Sequence, residues 1–382
     1  MLVALGYGRT PKVVDLPFEP KAILKPRTIA PVANLKASLR SALRRPVDAA
    51  PLCELARRAA RIAIIVPDDS RKSFRSECIT AVFDELGDDA RKSIVIVATG
   101  QHEPRDIKID DARAPSPLIH DGDAHEAHVM LGVTQRGTPV ELDHRVVEAD
   151  LVIAIGEIVP HYFAGYAGGA KAIFPGVASK PSIRKNHLMK AAPGARSGII
   201  DGNPCRQDME EAARMLPATL FCLNVVPAPE GGAAGAIAGD IRAAHRAGVG
   251  IARGVFEVAC PACDVAIVSS GPPLSRTLYQ ASKLVAMIAP FLREGGEIVL
   301  AAECDEGVGD LEFVNQSIYK DGLRSVLPAQ HRVLLCSSMQ DELVRRTYCE
   351  PIASMDEVVA SYGGKDVVVV PSGSGLLPVW PT

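Results

Sequence analysis

The chain has 382 residues, 47% apolar and only 4% aromatic, with a formal net charge of −3. That length suits two or three domains with ample material for buried cores, and so small a charge carries no basic footprint for nucleic acid. No apolar run approaches the roughly 20 residues of a membrane helix, and the start "MLVALGYGRTPKVVDLP" lacks a basic segment followed by a long apolar core, so a cytoplasmic protein is expected. The nine cysteines are an odd number scattered along the chain, which fits buried thiols in a reducing compartment better than a disulfide framework.

In chain order, "PLCELARRAA" has helical character and "RIAIIVPDDS" reads as a buried strand ending in Asp68 and Asp69, with Arg71 just beyond. Arg71 can grip a carboxylate in a two-toothed fork. Asp68 and Asp69 can orient a histidine or a ribose hydroxyl, or cap a helix start. After the helical "ECITAVFDELGDDA", the strand "SIVIVATGQH" delivers His102 to its tip. The polar stretch "RDIKIDDARAPSPLIHDGDAHEAH" reads as a surface excursion whose His120, His125 and His128 are solvated loop residues rather than metal ligands.

The strand "DLVIAIGEIVPH" then leads into "PHYFAGYAGGAKAIFPG". The glycines invite a phosphate-loop reading, but Ala170 separates Gly169 from Lys171 and Ala172 follows, so that motif fails. Gly168 and Gly169 can let a flat ligand lie on the backbone. Lys171 can pair with a phosphate or form a covalent bond through its amine. His161 and His187, the latter closing "SKPSIRKNH", can bind a metal as neutral imidazoles. Two histidines on separate strand tips, His102 and His161, also suit a reaction that needs an acid/base group on each side of one carbon.

The strand "TLFCLNVVPAP" precedes "PAPEGGAAGAIAGDIRAAHRAG", read as a loop and a helix that open a second α/β unit. Cys260 and Cys263 form a lone CxxC with no second pair, which suits buried thiols better than zinc. The strand "DVAIVSSGPP" is followed by the helix "TLYQASKLVAMIAPFLREG", on which Tyr279, Gln280 and Lys283 share a face. "GEIVLAAECDEG", "HRVLLCSS" and "DVVVVPSGSG" complete the strands. Strand and helix alternate, so the fold class is α/β with mostly parallel sheets. The expected organisation is two such domains, 1–245 and 246–382, with the active site in the cleft between them.

Five motifs in order, "DDSR", "ATGQH", "PHYFAGYAGGAK", "PGVASKPSIRKNH" and "YQASK", resemble the nickel-dependent lactate racemase family, over about Ile62 to Lys283. The resemblance implies a racemase or epimerase of a 2-hydroxy acid that uses a nickel pincer nucleotide. That cofactor is a pyridinium mononucleotide whose ring carbon and two sulfur-bearing arms hold the metal, and other enzymes would have to make it. It implies His102 and His161 as acid/base residues, Lys171 as the cofactor lysine and His187 as the nickel ligand. Arg71 and Lys283 would hold the substrate carboxylate. Asp68, Asp69, Tyr279, Gln280, Gly168 and Gly169 would support the site. Ser270 and Ser275 stand where the resemblance implies a glycine and an acidic residue, so the substrate within the 2-hydroxy acid class stays open. The competing expectations are a non-catalytic carrier or sensor of a nickel nucleotide, and a different metal enzyme such as a zinc hydrolase; the latter lacks the HExxH signature.

Overall fold

The computed structural model describes residues 1–68, 74–103 and 107–381; Asp69 and Arg71 lie outside them. The chain divides into two compact units, residues 28–255 and residues 1–27 together with 256–382.

The unit 28–255 is built on a six-stranded sheet ordered Ala233–Asp240, Thr219–Pro227, Leu151–Glu157, Ile62–Pro67, Ser93–Ala98, Leu118–Ile119. All neighbours are parallel except the first pair. Apolar side chains run almost without interruption along these strands because both faces are covered. Ala63 and Ile65 enter one core with Val152, Ala154 and Cys222. Ile62, Ile64 and Val66 enter the other with Val95, Val97 and Leu223. The strand Ile62–Pro67 sits between Leu151–Glu157 and Ser93–Ala98, so the chain leaves it in opposite directions on its two sides. That is the switch point at which an open α/β sheet parts its loops.

The second unit repeats the plan with six parallel strands ordered Glu350–Pro351, Arg332–Cys336, Leu292–Ala301, Cys263–Ser269, Val367–Val370, Ala22–Ile23. Its switch point is the carboxyl end of Cys263–Ser269.

The eight expected strands and the alternation are present. The boundaries 1–245 and 246–382 are corrected at both ends. Residues 1–27 belong with the second unit, because Ala22–Ile23 pairs with Val368–Val369. The hairpin Leu2–Leu5/Lys12–Asp15 also buries Val3, Leu5 and Val14 against Val265, Val299 and Val367. The helix Ala243–Phe256 stays with the first unit: a side chain at Gly248 would collide with Ile158 and Ile237. Within "PAPEGGAAGAIAGDIRAAHRAG", the residues Ala233–Asp240 form an antiparallel edge strand rather than a loop. The excursion before residue 128 is anchored rather than loose, since Leu118–Ile119 joins the sheet.

Candidate active site

Three of the predicted residues sit just beyond the carboxyl ends of the three strands at the first switch point. Asp68 follows Pro67, His102 follows the turn after Ala98, and His161 follows the strand Leu151–Glu157. The turn carrying His102 is fixed from both sides: the His102 N–H donates to Thr99 O at 2.9 Å, and the Gly100 N–H donates to Gly176 O at 3.0 Å. His102 is exposed, and its Nδ1 lies 2.6 Å from Asp68 Oδ2. A carboxylate only accepts, so Nδ1 carries a proton, and in the neutral ring Nε2 holds the lone pair.

His161 begins a two-residue ladder in which Pro160–His161 pairs with Gly165–Tyr166. Its Nδ1 accepts from the Ala164 N–H at 3.3 Å, and its Nε2 faces the Lys171 amine. The two histidines thus stand in different settings, His102 against a carboxylate and His161 beside a lysine. Gly165 makes the tight return possible, at φ +74° with a would-be Cβ only 2.1 Å from Ile199 O. Gly165→Ala should cost about 2–3 kcal/mol, measured by denaturant unfolding.

Phe163 gathers the rest. Its ring meets His161 edge-on at 4.7 Å and His187 at 4.8 Å, and the Lys171 Nζ lies 5.8 Å from its centroid. Lys171 Nζ is 3.5 Å from His161 Nε2. His187 ends the helix Lys180–His187, whose first turn is capped by the Ser179 hydroxyl and carries Pro181. The His187 Nδ1–H donates to Ile183 O at 2.7 Å, which leaves Nε2 as a lone-pair donor. Burial pushes this imidazole down to about 4, so it stays neutral, as a metal ligand must.

The second predicted constellation follows the other switch point. On the helix Leu278–Ile288, capped by Thr277, Lys283 Nζ donates to Gln280 Oε1 at 2.6 Å and lies 5.7 Å from the Tyr279 ring. Tyr279 in turn packs edge-on against Phe313. Ser270 and Ser275 in the loop before this helix are buried.

Several residues serve purposes other than those expected. The direction a side chain would take at Gly168 and Gly169 is filled by the protein: a Cβ at Gly168 would lie 2.7 Å from Asn224 Oδ1, and one at Gly169 would lie 2.8 Å from His245 Cβ. Of the two partners open to Asp68, a histidine or a ribose hydroxyl, the structure shows the histidine, His102. His120 is not a solvated loop residue. It is fully buried, with Nδ1 3.3 Å from Asp143 Oδ2 and Nε2 3.1 Å from Ala178 O. Cys260 and Cys263 are core thiols facing the carbonyls of Pro261 and Phe291, and burial pushes both up to about 12. The hub Phe163 and the buried Arg206, Asn224 and His245 went unread, since no sequence period distinguishes them from core.

Burial alone would raise the Asp143 carboxyl, but the hydrogen bonds from Arg145 and His120 overcome it and hold it well below the usual carboxylate range. A carboxylate depressed in the folded state stabilises above its unfolded pKa of about 3.9 and loses that contribution as pH falls through the folded value. Asp143→Asn should cost about 3–5 kcal/mol at neutral pH and flatten the fall of the thermal midpoint below about pH 4.

Among the described residues, no three His, Cys, Asp or Glu side chains converge as a metal-binding set. A protein-only zinc centre is therefore not supported. The described residues offer instead one neutral imidazole beside one lysine, which suits a metal carried by an organic group that brings its own donors. Among the described residues no helix is long and apolar enough to cross a membrane.

Fold and site define an α/β enzyme with two histidines in different settings at the switch point of one sheet. Residues 7–198, half of the chain, match the family described as the lactate racemase N-terminal domain. The chain is 28% identical to the lactate racemase of Thermoanaerobacterium thermosaccharolyticum, covering 98% of both chains. It is also 28% identical to that of Lactiplantibacillus plantarum, covering 96% of both. The solved structure of the lactate racemase apoprotein from the former organism superposes with a TM-score of 0.86 at 26% identity, covering 99% of this chain and 100% of that one. A Thermotoga maritima protein shares the fold, with a TM-score of 0.66 at 15% identity over 94% of this chain and 100% of that one. The chain belongs to the lactate racemase family, and it is an isomerase of the racemase class.

Proposed function

We propose that the chain interconverts the two configurations of a 2-hydroxy acid, with lactate as the default substrate, using a nickel pincer nucleotide supplied by dedicated biosynthetic enzymes. The observation that carries this reading is the meeting of His161, Lys171 and His187 around Phe163. Lys171 would hold the nucleotide through its amine, and His187 would give nickel its protein ligand through Nε2. When bound, the group supplies reversible acceptance of hydride from the substrate's α-carbon, which avoids a carbanion next to a carboxylate.

The chain's own residues do the rest. The family resemblance would give the substrate carboxylate to Arg71 and to Lys283, the latter held by Gln280 and beside Tyr279. His102 Nε2 removes the hydroxyl proton of one enantiomer as the carbonyl forms. After the 2-keto acid turns, His161, in its imidazolium form, returns a proton to the oxygen on the other side and is left neutral. For the opposite enantiomer the roles exchange. A mere carrier would have no use for an exposed histidine oriented by Asp68, which favours the enzyme over the carrier reading.

The test is co-expression with the cofactor-making enzymes and nickel, followed by intact mass, metal analysis and a panel of single-enantiomer 2-hydroxy acids. The expected result is a nucleotide's mass, about one nickel per chain and loss of optical activity with at least one substrate. Lys171→Ala should lose both the added mass and the metal. Folded wild-type protein that stays free of nickel under these conditions would overturn the proposal.

A further inference from the structure

Lys171 lies two residues beyond a run whose backbone is bonded from behind by three buried side chains. Arg206 Nη1 donates to Tyr166 O at 3.3 Å and to Gly168 O at 3.1 Å. His245 Nε2 donates to Ala167 O at 2.8 Å, and Asn224 Oδ1 accepts from the Gly169 N–H at 3.1 Å. The three come from separate elements: the helix Pro204–Arg214, the strand Thr219–Pro227 and the helix Ala243–Phe256. They approach so closely that residues 168 and 169 have no room for a side chain, and both glycines take positive φ, +82° and +56°.

We infer that Arg206, Asn224 and His245 are positioning residues that lock the 166–169 backbone and thereby aim the Lys171 amine. The inference rests on the reading of Lys171 as the cofactor-holding lysine. Stability alone does not account for the arrangement. Arg206 is fully buried, and its ion pair with Glu210, 3.0 Å away, carries a desolvation penalty that an apolar pair of the same volume would avoid. Burial also holds His245 well below the usual histidine range, so it remains a neutral donor to Ala167 O. What a guanidinium, an amide and an imidazole add over apolar packing is direction. Four successive residues each give a backbone group to a side chain that is itself fixed by packing. From there only Ala170 precedes Lys171, whose amine is set beside His161 Nε2.

The test is reductive methylation of the full-length protein without cofactor, read by peptide mass spectrometry as the rate at Lys171 relative to Lys36, an exposed lysine of the same unit. His245→Ala and Arg206→Lys should each raise that ratio about fivefold, the shift expected from losing one net hydrogen bond. His245→Gln, which can keep a donor near the Nε2 position, should stay within about twofold of wild type. Should Arg206→Lys fail to fold, Asn224→Ala takes its place with the same expectation. A ratio unchanged in folded His245→Ala, whatever happens to the thermal midpoint, would overturn the inference and leave these residues as ordinary core. Because the readout needs no nucleotide, failure of the wild type to take up nickel would sink the proposed function without touching this result.

Discussion

His102→Ala and His161→Ala should each lower kcat for interconversion by about 10³-fold while nickel content stays at the wild-type level. The expectation follows from the two settings. Asp68 takes the Nδ1–H of His102 and leaves a base at Nε2. The Ala164 N–H occupies Nδ1 of His161, so Nε2, beside the Lys171 amine, is the atom left to exchange a proton with the substrate. A single turnover from one enantiomer needs both, so neither variant should racemise. Each variant should still carry out half of the reaction. The remaining histidine can take the hydroxyl proton from the one enantiomer whose oxygen faces it. Rapid-quench analysis of loaded variants should find 2-keto acid formed from one enantiomer with His102→Ala and from the opposite one with His161→Ala. The same handedness in both variants would refute a two-histidine scheme.

Much of this site could be read from the chain because its chemistry is local to strand ends. A buried parallel strand is a continuous apolar run, and the first polar residues after it must stand at the carboxyl edge, as Asp68, His102 and His161 do. Tyr279, Gln280 and Lys283 were legible for a similar reason, since three and four residues along a helix return to one face. What stayed hidden depends on distant partners. The glycines at 168 and 169 give no sign that the atoms packed against them belong to Asn224 and His245, more than 50 residues away in sequence. Ala22–Ile23 carries no signal that its partner is Val367–Val370. His120 reads as a loop residue until Asp143 and Ala178 close around it. "AAGAIAGD" lacks the β-branched bulk of a strand, yet it pairs along the edge of the sheet, where small residues are tolerated.

Asp68→Asn should lower kcat by about 10²-fold with KM within about threefold and nickel content unchanged. The side chain is nearly isosteric, and an amide oxygen can still accept the Nδ1–H of His102, so the ring need not turn. What the amide lacks is charge. A carboxylate 2.6 Å from Nδ1 balances the positive charge that builds on the imidazole as Nε2 accepts the hydroxyl proton, and a neutral partner does not. The amide can also rotate to present its NH₂, which would force the proton onto Nε2 and remove the base altogether. The measurement separates the two roles open to Asp68. If it orients His102, activity falls while metal and nucleotide remain bound. If it holds the nucleotide, nickel falls with activity and the residual enzyme keeps its turnover per bound nickel. A double variant with His102→Ala decides the case a second time: an orienting Asp68 adds nothing once its histidine is gone, whereas an independent cofactor contact adds its full cost.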